Sequence, residues 1–156
     1  MTIWNATPRD IDRILDLLSQ VLEVHHKLRP DLFNSGVTKY RKEELAKMLF
    51  DDNNPIYVAK IDDELVAYAF CQIRYSEHPH LTKRQKTLYI DDFCVDQKHT
   101  RQGVGKELFE FIKFEAGRLG CEEITLNSWE GNDAANAFYE KMGLTVRSHI
   151  LEYKIK

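Results

Sequence analysis

Leu88-Tyr89-Ile90-Asp91-Asp92-Phe93-Cys94-Val95 is an apolar run broken by two carboxylates, and Lys98-His99-Thr100-Arg101-Gln102-Gly103-Val104-Gly105-Lys106 follows it as a cationic, glycine-bearing loop. The content of Thr87 to Val95 is that of a strand. The loop glycines open a helix that reaches Leu119 and stops at Gly120, and Glu123 to Ser128 supplies the next strand. A strand, a crossover helix and a strand in one sheet must place the two strands parallel. This unit therefore fixes one parallel pair, and function is expected to gather there.

Outward from that unit, Thr2 to Asn5 reads as a short strand. Thr7-Pro8-Arg9-Asp10 then sets a cap, a first-turn proline and an acid, so a helix is expected from Pro8. Ile11, Ile14, Leu15, Leu18 and Leu22 give it one apolar stripe, and Pro30 forbids its continuation. Thr38 to Phe50 repeats the helical pattern more weakly. Pro55 to Ile61 and Leu65 to Tyr75 read as an antiparallel hairpin turned at Asp62-Asp63, and Ser76 to Lys86 as a polar loop. Asn132 is placed to cap a helix through Met142, Gly143 suits its left-handed end, and Leu144 to Ile155 supplies final strand material. The order β-α-α-β-β-β-α-β-α-β predicts a mixed α/β (α+β) fold, a mostly antiparallel sheet with one central parallel pair flanked by helices. Nothing divides residues 1–156, so one domain is expected.

Composition narrows the function. The chain is 43% hydrophobic and 30% charged, as in ordinary globular proteins, and its net charge of −3 offers no general attraction for nucleic acid. Three widely spaced cysteines, Cys71, Cys94 and Cys121, sit among apolar residues and read as buried thiols of a reducing compartment. No signal-peptide pattern or membrane-length apolar run is present, so a cytoplasmic protein is expected.

The glycine loop can cradle a phosphate. Gly103 and Gly105 let the backbone approach a ligand, the helix start adds partial positive charge, and Lys98, Arg101 and Lys106 add whole charges. A nucleotide P-loop is excluded because Glu107 follows Lys106 where Ser or Thr is required, and a dinucleotide fingerprint because Leu108 occupies its third glycine.

These residues resemble the GNAT acetyltransferases, whose pyrophosphate loop reads Arg/Gln-x-x-Gly-x-Gly/Ala after a short apolar run such as Phe93-Cys94-Val95. A second block, Asn132-Asp133-Ala134-Ala135-Asn136-Ala137-Phe138-Tyr139-Glu140-Lys141-Met142-Gly143-Leu144, is similar to the family's Asn-x-x-Ala-x-x-Phe-Tyr-x-x-x-Gly-Phe. Thr100 stands where the family has Arg or Gln, and Arg101 where a glycine is common. The resemblance implies acetyl-CoA as co-substrate, with no metal. It implies a coenzyme site formed by Phe93, Cys94, Val95, Arg101, Gln102, Gly103, Val104, Gly105 and Lys106, with Asn132, Asp133 and Ala134 toward the pantetheine arm or adenosine. It also implies a small-molecule amine acceptor, and dimers are common among similar proteins.

Acetyl transfer to an amine needs a group to take the ammonium proton and one to protonate the departing thiolate. Strand alternation puts Asp91 and Asp92 on opposite faces, and an inward carboxylate is costly unless it is paired or lines a cleft. Similarity to the polyamine-acetylating branch suggests Asp91 as base through a water, with Asp92 as the alternative. Tyr139, seven residues beyond Asn132, matches the family's thiolate-protonating tyrosine; by periodicity alone it is a packing residue. Cys94 lacks a patterned histidine and does not read as a nucleophile. His25-His26 and His78-Pro79-His80 complete no metal-ligand spacing and read as surface or pocket residues. The acceptor pocket is expected between the two early helices and the Ser76 to Lys86 loop.

Overall fold

Asp62 and Asp63 both take positive φ, 49° and 65°, the backbone of a tight hairpin turn that matches strand twist. They fold β2 (Ile56–Ile61) back on β3 (Glu64–Tyr75), as the hairpin pattern predicts. The computed structural model describes residues 1–156. β1 (Thr2–Asn5) pairs antiparallel with β2, β3 pairs antiparallel with β4 (Lys86–Val95), and β4 pairs parallel with β5 (Glu123–Leu126). The sheet order is β1-β2-β3-β4-β5, so the parallel pair lies at one end of five strands and not at the centre, where it is expected, because nothing pairs beyond β5.

Each face of the sheet has its own core. On one face, α1 (Ile11–Leu28) and α2 (Lys42–Met48) cover Val58, Tyr68, Phe70 and Cys94 with Ile14, Leu17, Leu18 and Leu45. Leu17 is fully buried whereas Leu15 only borders the cluster, so the inward stripe of α1 is rotated from the one expected. On the other face, α3 (Val104–Arg118) packs Val104, Leu108 and Ile112 over Ala59, Ala69, Leu88 and Ile90. α4 (Asp133–Lys141) closes that face by placing Phe138 against the same core.

The ends of these helices follow the sequence signals. A 3-10 turn, Pro8–Asp10, precedes α1, and the Asp10 carboxylate accepts from the Thr7 amide and hydroxyl. Gly103, Gly120 and Gly143 take positive φ at the start of α3 and beyond the ends of α3 and α4. Asn132 occupies the cap position of α4, but its side chain makes no cap bond.

Three expectations are corrected. The second helix spans only Lys42–Met48, because Lys39 and Tyr40 turn toward the sheet instead of joining it. β5 stops at Leu126, short of Ser128. Leu144 to Ile155 forms no strand: residues 145–156 are exposed and outside the sheet.

The hairpin turn gives a direct test. Asp-Gly suits this turn better than Asp-Asp, because glycine reaches the left-handed region without Cβ strain. Asp63→Gly is expected to raise the urea midpoint by the equivalent of roughly 0.5 kcal/mol, well under the ~1–2 kcal/mol cost of left-handed backbone for most residues.

Candidate active site

Parallel pairing runs from Thr87 opposite Glu123 to Ile90 opposite Leu126 and then ends, while β4 continues alone on that side to Val95. The Asp96 amide donates to Val66 O at 2.8 Å, toward β3. Because amides alternate sides along a strand, those of Phe93 and Val95 point to the side that β5 has left. A short run of β-strand backbone is thus open to an extended ligand carrying its own amides. Cys94 faces the other core, its thiol near Leu17 O at 3.7 Å, and burial pushes it up to about 12.

The glycine loop follows directly. Asp96 fixes its first turn by accepting from the Lys98 amide and pairing with Arg13. Arg101 takes φ of 60° and Gly103 of 81°, which explains why a glycine is common at the position Arg101 holds. The first intrahelical donor of α3 is Glu107, whose amide bonds Gly103 O at 3.0 Å, so the amides of Val104, Gly105 and Lys106 are free at the helix start. Lys98, Arg101 and Lys106 are exposed around them and pair with no protein carboxylate. Gln102 lies on the same turn, its side-chain amide directed to Lys98 O. The Val104 side chain is buried in the core, so only its backbone can serve a ligand. A Cβ on Gly105 would lie 3.3 Å from the Phe138 ring and 3.4 Å from Val95 Cγ2. This position must stay small for α3 to seat against α4 and β4.

The carboxylates do not face opposite sides. Facing β3, the register steps from Ile90–Cys71 to Asp92–Phe70, so Asp91 is an extra, bulged residue. The bulge reverses the alternation: Ile90 faces the α3 core, and both Asp91 and Asp92 reach the α1 side. There the Lys39 ammonium lies 3.0 Å from Asp91 Oδ2, 3.7 Å from Asp92 Oδ2 and 3.2 Å from the Asp91 carbonyl. The Tyr40 hydroxyl donates to Asp91, and the Tyr68 hydroxyl donates to Asp92 Oδ1 at 3.2 Å. Burial raises Asp92 to about 6 against the attraction of Lys39.

α4 carries Tyr139 to the same place. Phe138 and Tyr139 pack on Phe93 with ring centroids 5.6 and 6.5 Å away, and the Tyr139 hydroxyl bonds no protein group. Burial, then the charge of Asp92, pushes Tyr139 up to about 12, so it holds its proton at neutral pH. Asn132, Asp133 and Ala134 form the start of the same helix, the last two exposed.

The structure adds residues that sequence reasoning missed. Lys39, Tyr40 and Tyr68 complete the carboxylate cluster, and no local pattern links positions 39 and 40 to 91. Near Lys39, His25 packs on Phe33 and Trp129 with centroids 5.2 and 6.4 Å away, forming an aromatic wall. The Ser76 to Lys86 loop does not border this pocket: Gln85 donates to Glu122 and Arg84 pairs with Glu123 at the start of β5, about 15 Å of strand from Asp91. Asp31 pairs with Arg29, and His78 and His80 lie in that distant loop.

No helix is long and apolar enough to cross a membrane. The Acetyltransferase (GNAT) family matches residues 21–144. An uncharacterized N-acetyltransferase in the pepI 3′ region of Lactobacillus delbrueckii subsp. lactis is 27% identical over 89 residues, 57% of this chain and 50% of that protein. The chain thus matches only about half the length of this curated relative. Among solved structures, a mutant BH1408 protein from Bacillus halodurans has a TM-score of 0.93 at 27% identity, covering 100% of both chains. An aminoglycoside acetyltransferase from an uncultured soil metagenomic sample, in complex with trehalose, has a TM-score of 0.74 at 20% identity, covering 99% of this chain and 95% of that one. The aminoglycoside N-acetyltransferase AAC(6′)-Iy in complex with CoA has a TM-score of 0.72 at 14% identity, covering 99% of each chain. The latter two are likenesses of fold alone. A family match from Val21 to Leu144, which spans the open strand, the glycine loop and α4, places this chain in the acetyltransferase (GNAT) family.

Proposed function

We propose that the protein is a cytoplasmic, acetyl-CoA-dependent N-acetyltransferase that acts on a small cationic primary amine by direct transfer. The observation that carries the acceptor class is Lys39: a primary ammonium already lies against both carboxylates. An incoming amine that displaces it finds the same charge partners and the aromatic wall of His25, Phe33 and Trp129. Aminoglycosides, the acceptors named for two proteins of this fold, are themselves small polyamines. Unpaired thiols at Cys71, Cys94 and Cys121 fit a reducing compartment.

Coenzyme A fits the open backbone. Free amides at Val104, Gly105 and Lys106, with Lys98, Arg101 and Lys106 around them, suit its diphosphate. The Phe93 and Val95 amides suit the pantetheine amides and the thioester oxygen. Asn132, Asp133 and Ala134 lie across the gap, on the far wall. The fold shared with the CoA-bound AAC(6′)-Iy supports this placement.

Asp92 is the better base of the two carboxylates. Its raised value leaves it ionised at neutral pH yet ready to hold a proton, whereas Asp91 is tied to Tyr40 and Lys39 and serves to hold the ammonium. Asp92 takes the ammonium proton; the freed amine nitrogen bonds to the acetyl carbon, the carbon–sulfur bond breaks, the Tyr139 hydroxyl protonates the departing thiolate, and the second proton of the acylated nitrogen returns to the Tyr139 oxygen to leave the neutral amide. Cys94, buried and protonated, takes no covalent part. A panel of small amines with acetyl-CoA and a free-thiol readout tests the reading; turnover of none of them, or undetectable acetyl-CoA binding by calorimetry, overturns it.

Two substitutions separate the roles. Tyr139→Phe keeps the ring packing on Phe93, so acetyl-CoA affinity should hold while kcat falls by about 10²-fold or more. Asp92→Asn should abolish the limb of the pH–rate profile that rises through about 6.

The same variant reports on stability. A carboxylate raised from its ordinary 3.8 to about 6 in the fold binds a proton more tightly folded than unfolded, so ionising it destabilises the protein as pH rises through that window. Asp92→Asn is therefore expected to stabilise the fold above pH ~6 by on the order of 3 kcal/mol, at ~1.4 kcal/mol per pH unit. That gain should fade toward pH ~4 in urea titrations, in line with the linkage relation.

A further inference from the structure

Leu28 ends α1 and Lys42 begins α2; the connection between them forms no helix or strand and carries Lys39 to β4. Of the lysines that form ion pairs, Lys39 alone meets two carboxylates, whereas Lys42, Lys60 and Lys113 each meet one. The next residue fixes its position. The Tyr40 ring stacks on Phe70 with centroids 5.2 Å apart, and the Tyr40 hydroxyl donates to Asp91. The ammonium is therefore held at the carboxylates by an anchored neighbour, not by a free loop.

This is the place that an acceptor amine must occupy. Asp92, the proposed base, has its Oδ2 3.7 Å from Lys39 Nζ. The Asp91 carbonyl, 3.2 Å from Nζ, belongs to the peptide unit next to the one that supplies the Phe93 amide, a proposed partner of the thioester oxygen. Tyr139, the proposed acid, packs on Phe93. A base, a polarising amide and an acid thus converge beside a primary amine that the chain itself supplies. Tethered in this way, that amine has an effective concentration on the order of millimolar or more before any free amine arrives. The Lys39 side chain is 41% exposed, so an acetyl group added to it meets solvent and not the core.

Given an acetyl-CoA-dependent transferase, we propose that Lys39 is acetylated by its own active site when no acceptor amine is bound. Asp92 takes one proton from the ammonium, and Nζ bonds to the acetyl carbon as the carbon–sulfur bond breaks. The Tyr139 hydroxyl protonates the thiolate, and its oxygen takes the second proton from the nitrogen. Lys39 keeps the third as a neutral amide, and the proton on Asp92 passes to water. Acetylation removes the charge, so the product leaves Asp91 and Asp92 without their cation.

The test incubates the full chain with acetyl-CoA and no amine, and follows intact mass and peptide maps. The wild type should gain one acetyl group at Lys39, at a rate per molecule that does not depend on protein concentration. Tyr139→Phe should slow this by about 10²-fold, and an amine that turns over should suppress it. Lys39→Arg, which keeps a cation on both carboxylates, should gain no mass. An enzyme that acetylates free amines but leaves Lys39 unmodified would overturn the proposal and leave the acetyltransferase reading standing. So would labelling of Lys39 no faster than that of the exposed Lys42, or equally fast in Tyr139→Phe, since either marks uncatalysed acetylation. A rate per molecule that rises with protein concentration would overturn it too, because transfer would then run between copies. Loss of Lys39 labelling, amine turnover and acetyl-CoA binding together would overturn both readings.

Discussion

The parting of β4 from β5 beyond Ile90 and Leu126 is the constraint on which the rest of the site depends. Backbone amides cannot be left unpaired in an apolar interior without cost, so a strand that outruns its neighbour needs water or a ligand on that side. The neighbouring elements hold the gap open. α3 starts at the end of the glycine loop that follows β4 and leaves its first amides free, and α4 follows β5 to lay Phe138 and Tyr139 on Phe93. Gly105 lets these two helices and β4 meet at one point without collision. The fold thus places a helix start, an open strand and a tyrosine around one cleft with backbone geometry alone.

The second constraint is electrostatic. Two carboxylates share one ammonium, and the more buried of them, Asp92, is raised because desolvation outweighs the attraction of Lys39 and the hydrogen bond from Tyr68. Buried charge of this kind is weak evidence for stability and better evidence for a task, since perturbed groups gather where protons must move. Tyr40 and Tyr68 supply hydroxyl donors without adding charge, and each packs its ring on Phe70, with centroids 5.2 and 5.1 Å away. The aromatic cluster fixes donor positions that a flexible loop alone could not hold.

Much of this was legible in the sequence because it is local. The parallel pair, the hairpin at Asp62-Asp63, the glycine signals around α3 and the block that carries Tyr139 each rest on spacings within a few residues. What stayed hidden was long-range or a matter of register. One bulged residue at Asp91 turned two carboxylates expected on opposite faces onto the same one, and nothing in an alternating pattern announces a bulge. Lys39 and Tyr40 read as the start of a helix because a weak apolar period outvoted contacts 51 and 52 residues away. Residues 145–156 alternate apolar and polar side chains as a strand would, but they form no strand, because nothing local shows whether a sheet edge receives them.

α1 lies between the site beside β4 and the residues that follow α4. Its last turn carries His25, which packs on Phe33 and Trp129 near Lys39, and Arg29 just beyond that turn pairs with Glu152. Trp129 belongs to the connection between β5 and α4, so this aromatic cluster is pinned from the helix on one side and from the strand end on the other. A helix end held by two such contacts loses freedom that an isolated end would keep, and ordering one contact lowers the entropy cost of the other. Residues 145–156 and the aromatic cluster beside Lys39 thus meet the same end of α1, one at Arg29 and the other at His25, about one turn apart.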